Sequence, residues 1–256
     1  MSFLDDVVVA KRAEIARLRL AAPSLSAAKA PGFAQALQGP GLSLIAEIKR
    51  RSPSKGVLAP GLDAAKTARA YAAGGASAIS CLTDRTFFGA VDGDFERARS
   101  ASLPVLRKDF LIDEIQIDES HGLGASAVLL IVSLLPLPRL SDLLAHTAKR
   151  GLDALVEVHD EAELDQALEA GASLVGVNNR DLRTLTVDPS LALRLRSRIP
   201  DGVSSVAESG VRTREDVKRI EDAGFDALLI GETLVTSPDP SATLHELMGK
   251  AAEVSR

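Results

Sequence analysis

Lysines and carboxylates recur at the ends of short apolar runs in this chain. Glu47 and Lys49 close the run Ser43–Lys49, Lys108 closes Pro104–Lys108, and Glu157 sits in Ala154–Val158. Asn178 closes Leu174–Asn178, and Glu208 directly follows Ser204–Ala207. A charge at the end of an apolar strand is costly unless it is paired or used. Any one of these taken alone reads equally well as a strand-end charge facing water. Their recurrence on run after run points instead to one shared mouth. A Lys–Glu cluster supplies both an acid and a base once its members shift one another's ionisation. Strand alternation puts Glu47 and Lys49 on the same face.

The elements that must position these groups follow from hydrophobic patterning. The remaining runs are Ala76–Thr83, Ala125–Val132 and Ala227–Gly231, which makes eight in all. Most are continuously apolar, as strands buried on both faces should be. Helical patterns lie between them at Ala64–Ala73, Ile115–Leu123, Pro138–Arg150, Glu161–Ala170, Pro189–Arg198 and Arg214–Ala223. Strand–helix alternation implies parallel pairing through right-handed crossovers, and eight units imply a closed (β/α)8 TIM barrel of the α/β class. A helical pattern over Phe3–Leu20 and an Ala/Ser/Pro-rich connector over Ala21–Pro31 precede the barrel. The expected organisation is one domain over 1–256, with a helical extension at 1–41 and the barrel at 42–256. Gly75, Gly124, Gly171 and Gly224 recur before alternate strands at a spacing of roughly 50 residues, where left-handed C-caps would end helices.

In such a barrel the active site lies at the C-terminal strand ends, and loops after the seventh and eighth strands commonly hold phosphate. Ser209-Gly210 and Gly231-Glu232-Thr233 occupy those places. Their backbone N–H groups can approach an anion, with only the backbone of Glu232 required to face it. The basic loop Arg50, Arg51 and Lys55 reads as solvated, or as a lid that steers an anionic substrate.

Composition removes other classes. The chain has 256 residues, 46% hydrophobic and 3% aromatic, with seven Phe, one Tyr, no Trp and a net charge of −5. That argues against disorder, against single-strand nucleic-acid stacking and against a basic DNA-binding domain. No nucleic-acid or membrane partner is expected, and a monomer or weak homo-oligomer is. No apolar run approaches the roughly 20 residues of a membrane span, and the acidic N-terminus is unlike a signal peptide, so a cytoplasmic protein is expected. The single Cys81 reads as a small core residue. His121, His146 and His245 read as surface helix residues, and no histidine pair has metal-ligand spacing. His159 ends the fifth strand beside Glu157 and is set aside as a weak base candidate.

The motifs Glu47-Ile-Lys49-Arg-Arg-Ser52-Pro-Ser54-Lys-Gly56, Leu82-Thr-Asp84 with Phe87-Phe88-Gly89, Arg107-Lys108-Asp109-Phe110, Val177-Asn178-Asn179-Arg180-Asp181-Leu182, Val206-Ala-Glu208-Ser209-Gly210 and Leu229-Ile-Gly231-Glu232-Thr233-Leu234 resemble the indole-3-glycerol phosphate synthase family. The resemblance runs along the whole chain. It implies a carboxy-lyase of tryptophan biosynthesis that needs no metal and no organic cofactor. The implied substrate is an anionic phosphosugar, 1-(2-carboxyphenylamino)-1-deoxyribulose 5-phosphate, closed to an indole with loss of CO2 and water. By position Lys108 matches the acid of ring closure and Lys49 a second substrate-contacting lysine. Glu157 and Glu47 match carboxylates with base or electrostatic roles, and which of them accepts the dehydration proton stays open. Asn178 and Glu208 match orienting contacts, and Arg180 a residue near the carboxylate end. Ser52, Ser209, Gly210, Gly231 and Glu232 fall on phosphate-binding positions, and Phe110 stands with Phe87 and Phe88 where an aromatic ring needs an apolar wall. Two rivals are a related isomerase barrel and a catalytically dead binder. The isomerase needs a Cys/Asp pair where this chain has Lys49 and Glu157. The helix after the third strand (Ile115–His121) is more polar than the family pattern, and the loop Gly89–Asp94 departs from it slightly.

Overall fold

A computed structural model describes residues 3–21 and 30–249. Eight parallel strands close into a barrel in sequential order: β1 (Ser43–Ile48), β2 (Ala78–Leu82), β3 (Val105–Lys108), β4 (Ala127–Ile131), β5 (Asp153–Val158), β6 (Leu174–Asn178), β7 (Ser204–Glu208) and β8 (Ala227–Ile230). β8 pairs back onto β1, Ser43 opposite Ala227. All eight lie within one or two residues of the apolar runs, because continuous burial leaves those runs no alternative partner for their backbone.

Alternation along each strand sorts the core into two shells. Ile45, Leu106, Leu129, Leu155, Leu174, Val206 and Leu229 fill the barrel interior. Their neighbours Leu44, Ala46, Val105, Leu130, Val156, Val175 and Leu228 face the surrounding helices. Glu47, Lys108, Glu157, Asn178 and Glu208 share the parity of the interior set, so the pleat itself aims them into the mouth. Tyr71, fully buried in the helix Ala64–Ala73, donates from its hydroxyl to the Glu47 carbonyl at 2.9 Å and fixes the strand that carries that carboxylate.

The helices follow their sequence signals. Asp63 and Asp160 cap helices Ala64–Ala73 and Glu161–Glu169, and capping boxes start Glu114–Gly122 (Asp113 with Gln116) and Arg214–Asp222 (Thr213 with Asp216). Gly75, Gly124, Gly171 and Gly224 all take positive φ, as helix-ending C-caps require. The expected six crossover helices are present. Sequence patterning passed over a short helical crossover between β2 and β3 (Asp94–Ala98) and the helix Pro240–Met248, which packs after β8. The polar character of Glu114–Gly122 has a structural cause. Gln116 and Ser120 are buried on it: the Gln116 side chain donates to the Phe110 carbonyl at 3.1 Å, and the Ser120 hydroxyl accepts from Arg107 of β3 at 3.1 Å.

The N-terminal extension contacts both ends of the barrel. Helix α1 (Phe3–Ala21) lies at the mouth, joined to residues beyond β2 and β3. The short helix Phe33–Ala36 plugs the opposite end, its first two N–H groups donating to Asp153 at the start of β5 at 3.0 and 2.9 Å. Residues 22–29 of the expected connector lie outside the described residues.

Candidate active site

At the mouth, Lys108 reaches across the barrel from β3. Its Nζ donates to Glu157 Oε2 of β5 at 2.8 Å and to Glu208 Oε2 of β7 at 2.7 Å. Both carboxylates are 1% exposed, so the charges meet in a medium that screens them little. A second pair, Lys49 Nζ to Glu47 Oε1 at 2.6 Å, confirms that these two residues share a face. The register sets Asn178 opposite Glu208 and Glu157 opposite Gly176, so three adjacent strands deliver Glu157, Asn178 and Glu208 to the mouth within two residues of one another.

Burial and charge divide these groups. Burial alone would push the Lys108 amine down, but Glu157, Glu208 and Glu47 outweigh it and hold Lys108 well above the ordinary lysine range. For Glu157, burial is outweighed by Lys108 and His159, and its carboxyl lies well below the carboxylate range. Glu208 is pushed up to about 7 by burial, against the pull of Lys108 and with the repulsion of Glu157 and Glu47. The neighbours thus push the two carboxyls in opposite directions, Glu157 down and Glu208 up, the pattern of an acid–base site.

Two glycines make room for these side chains. A Cβ at Gly231 would lie 2.3 Å from Glu47 Oε1, and one at Gly176 would lie 2.2 Å from Glu208 Oε1. Close approach to a carboxylate therefore constrains Gly231, in addition to the backbone role expected from its sequence position.

The cavity over this cluster holds about 440 Å³. Its polar end brings together Ser52, Ser209, Gly210, Gly231 and Glu232, all of which line it. Ser209 and Gly210 both take left-handed backbone, φ 64° and 87°, which turns the chain sharply just after β7. Asn178 Oδ1 accepts from the Arg180 backbone N–H at 3.0 Å, and the Arg180 side chain reaches Ser54 at 3.3 Å. Ser52 lies in a small hairpin, Arg51–Ser52 paired with Gly56–Val57, that forms the loop after β1. This loop is solvated at Arg51 and Lys55, which are exposed, and anchored at Arg50. Arg50 holds Asp94 through two bonds of 2.8 Å, and Lys55 pairs with Glu232 across the mouth. The Arg50–Asp94 clamp also anchors the loop Gly89–Asp94 at its last residue.

The apolar end is an aromatic wall. Phe88, Phe110 and Phe3 of α1 line it, and Phe87 packs against Phe3 and Phe110 without lining the cavity, with ring centroids 5.2 Å apart for Phe3–Phe87, 6.1 Å for Phe3–Phe110 and 5.9 Å for Phe88–Phe110. Sequence reasoning passed over Phe3, and it passed over Lys11. Lys11 is 1% exposed and pairs with Asp109 at 2.7 Å and Asp84 at 2.9 Å. The available signal was periodicity: Leu4, Val7, Lys11 and Ile15 form one buried stripe of α1, and a lysine on such a stripe demands partners.

Of the residues set aside, Cys81 is buried, where burial pushes its thiol well up. His121, His146 and His245 lie on helices but are half-buried, and His146 Nε2 contacts Asp118 at 2.7 Å. No helix among the described residues is long and apolar enough to cross a membrane, and no group of three His, Cys, Asp or Glu among them is placed to hold a metal ion.

A closed parallel barrel whose mouth joins paired lysines and carboxylates to an aromatic wall defines a β/α-barrel enzyme. The family model for indole-3-glycerol phosphate synthase matches residues 4–247, and the chain belongs to that family. It is 51% identical to indole-3-glycerol phosphate synthase 2 of Streptomyces coelicolor, over 93% of this chain and 90% of that protein. It is 46% identical to the Syntrophobacter fumaroxidans indole-3-glycerol phosphate synthase, over 98% of both chains. The barrel also resembles thiamine phosphate pyrophosphorylase from Pyrococcus furiosus, with a TM-score of 0.60 at 16% identity over 81% of this chain and 94% of that one, a likeness of fold alone.

Proposed function

We propose that the site closes the indole ring of 1-(2-carboxyphenylamino)-1-deoxyribulose 5-phosphate, releasing CO2 and water to give indole-3-glycerol phosphate. The observation that carries this reading is Lys108 Nζ held between Glu157 and Glu208 at the inner end of a cavity whose two arms are chemically opposite. The phosphate goes to the Ser52, Ser209, Gly210, Gly231 and Glu232 arm, and the aromatic ring to the wall of Phe110, Phe88 and Phe3. Arg180 sits near the ring carboxylate.

With the substrate so stretched, the ring carbon bearing the carboxylate attacks the ribulose carbonyl carbon. Lys108 protonates the carbonyl oxygen as its charge develops, which its raised affinity for protons keeps it ready to do. Loss of CO2 restores the aromatic ring. The new hydroxyl then leaves as water, protonated by an ammonium or carboxyl of the Lys49, Glu47, Glu208 group, while the methylene carbon between the nitrogen and the former carbonyl gives up a proton and the product keeps its N–H. Glu157 stays ionised and balances Lys108. Asn178 orients the sugar. The small-molecule phosphosugar is the partner this geometry serves.

We read the extension and the barrel as one domain, because α1 supplies Phe3 to the cavity and Lys11 to the residues beside Lys108. A monomer or weak homo-oligomer acting in the cytoplasm without nucleic acid fits the mild negative charge.

The test is turnover. The folded protein mixed with the carboxyphenylamino-deoxyribulose phosphate should develop indole fluorescence, and no signal overturns the proposal. Lys108→Met should lower kcat by at least about 10²-fold, the low end for a positioned acid, with little change in melting temperature. Near-normal turnover removes Lys108 from the role of acid.

A further inference from the structure

Behind Glu157, on the side away from Lys108, stands His159. Its side chain is only 9% exposed and is held between two carboxylates. Nδ1 contacts Glu163 Oε2 at 2.9 Å, and the same carboxylate oxygen accepts the His159 backbone N–H at 2.9 Å. Nε2 faces Glu157 Oε1 at 3.2 Å and has no hydrogen-bond partner of its own. The contact to Glu157 is therefore one of charge. His159 does not line the cavity, whereas Glu157 does.

We propose that His159 is a positioning residue for the reaction: as an imidazolium fixed by Glu163, it holds Glu157 charged and aimed at Lys108, so that the exchangeable proton of the mouth resides on Glu208. This inference rests on the reading of Lys108, Glu157 and Glu208 given above and adds a residue that acts through Glu157 without touching substrate.

The reasoning is a count of charges around one carboxylate. Glu157 faces Lys108 from β3 and His159 from its own strand, with Glu208 as the repelling neighbour from β7. Glu208 faces Lys108, Glu157 and Glu47, and its one ion pair among the described residues is with Lys108. His159 faces Glu157, Glu163 of the following helix and, at longer range, Asp181 beyond β6. Two cations thus serve Glu157 and one serves Glu208, although both are equally buried. A proton entering the pair goes to the carboxylate with less positive charge beside it. Burial alone would neutralise the imidazole, but Glu157 and Glu163 outweigh it and raise its pKa to about 10, so the ring is charged throughout the working range. Lys108 then shares its hydrogen bonds between a permanent anion and a group that can take up or release a proton, an asymmetry that Lys108 alone does not create.

The test replaces the ring by neutral groups. His159→Asn keeps a donor near the Nδ1 position and His159→Gln one near Nε2. Removing a cation makes the Glu157–Glu208 pair bind its proton more tightly, so the ionisation that governs kcat should move up. The expected shift is about one pH unit in both variants, a tenfold change in proton affinity, with KM changed less than about twofold. A kcat profile superimposable on that of the unaltered enzyme overturns the proposal, even if the rate is lower throughout. A readout independent of turnover is the ring itself. By nitrogen NMR of the full chain, His159 should remain an imidazolium at pH 8, and Glu157→Gln should bring its titration down toward the ordinary histidine range. A neutral ring at pH 8, or a titration unmoved by Glu157→Gln, also overturns it. Failure of the catalytic reading is distinct, because active Lys108→Met protein would refute that reading and leave the ring titration as it was.

Discussion

Replacing Lys11 by Met isolates what the N-terminal helix does. Lys11 Nζ lies 2.7 Å from Asp109 and 2.9 Å from Asp84, and all three side chains are at most 2% exposed. Asp109 also accepts from the Thr83 hydroxyl and pairs with Arg107 at 3.5 Å, so it keeps one cation when Lys11 is gone. Asp84 keeps only the Phe87 backbone N–H, at 2.6 Å. Removing one partner of a buried pair costs about 3–5 kcal/mol, because the stranded charge loses its compensation while its desolvation remains. At about 2–4 °C per kcal/mol for a chain of this size, Lys11→Met should lower Tm by roughly 6–20 °C. The pH dependence adds a sign. Burial pushes the Asp109 carboxyl up, yet Lys11 and Arg107 outweigh it and hold it below its usual range. The stability it contributes is complete above the ordinary carboxylate range and is lost as pH falls through the depressed value. Without Lys11 that value rises, so acid unfolding should begin at higher pH. Thermal melts from pH 3 to 8 read both effects. Lys11→Met/Asp109→Asn should cost less than the sum of its singles by about 0.5–3 kcal/mol. A Tm within 2 °C of the unaltered chain, or strict additivity, would refute the claim that this pair carries α1.

Gly231→Ala should fold, because the clashing atom is the end of the Glu47 side chain 2.3 Å from the new Cβ, but displacing that carboxylate should cut kcat by at least about tenfold; steady-state kinetics beside a melt checks it. Phe3→Ala removes one face of the aromatic wall and should raise KM about threefold to tenfold, at about 0.5–1.5 kcal/mol per ring contact, with a smaller change in kcat.

The barrel was legible because eight apolar runs with helical spacers admit few other topologies, and strand parity alone predicted the Glu47–Lys49 pair. Glu157, Lys108 and Glu208 were legible as strand-end charges, but their mutual contact depends on the tilt that brings β3, β5 and β7 across one mouth, which no local pattern encodes. His159 shares the parity of Glu157, which leaves it open as a base candidate, but the family resemblance gives it no role, and the Glu163 contact that fixes it exists only once the following helix folds against the strand. The basic loop was legible in part, since Arg51 and Lys55 are exposed as a solvated loop would have them. Arg50 looks solvated beside Arg51 and Lys55, and only the return of the chain at Asp94, 44 residues later, shows that it is clamped.

Aromatic scarcity and aromatic recognition are compatible here because of placement. Of seven Phe, Phe33 plugs the closed end of the barrel, while Phe95 and Phe225 belong to the outer shell. The other four, Phe3, Phe87, Phe88 and Phe110, meet at the mouth in edge-on and tilted contacts. Ala, Leu, Val and Ile suffice for the packed strands and helices, whose shells need volume rather than flat faces. A planar ring needs such faces, and they come from three places in the chain: α1, the loop after β2 and the end of β3. The same three segments meet in the Lys11, Asp84, Asp109 ion cluster. The aromatic wall is therefore held together by a buried ion cluster drawn from the same segments. Loosening that cluster should loosen the wall, and with it the aim of Lys108 next to Asp109.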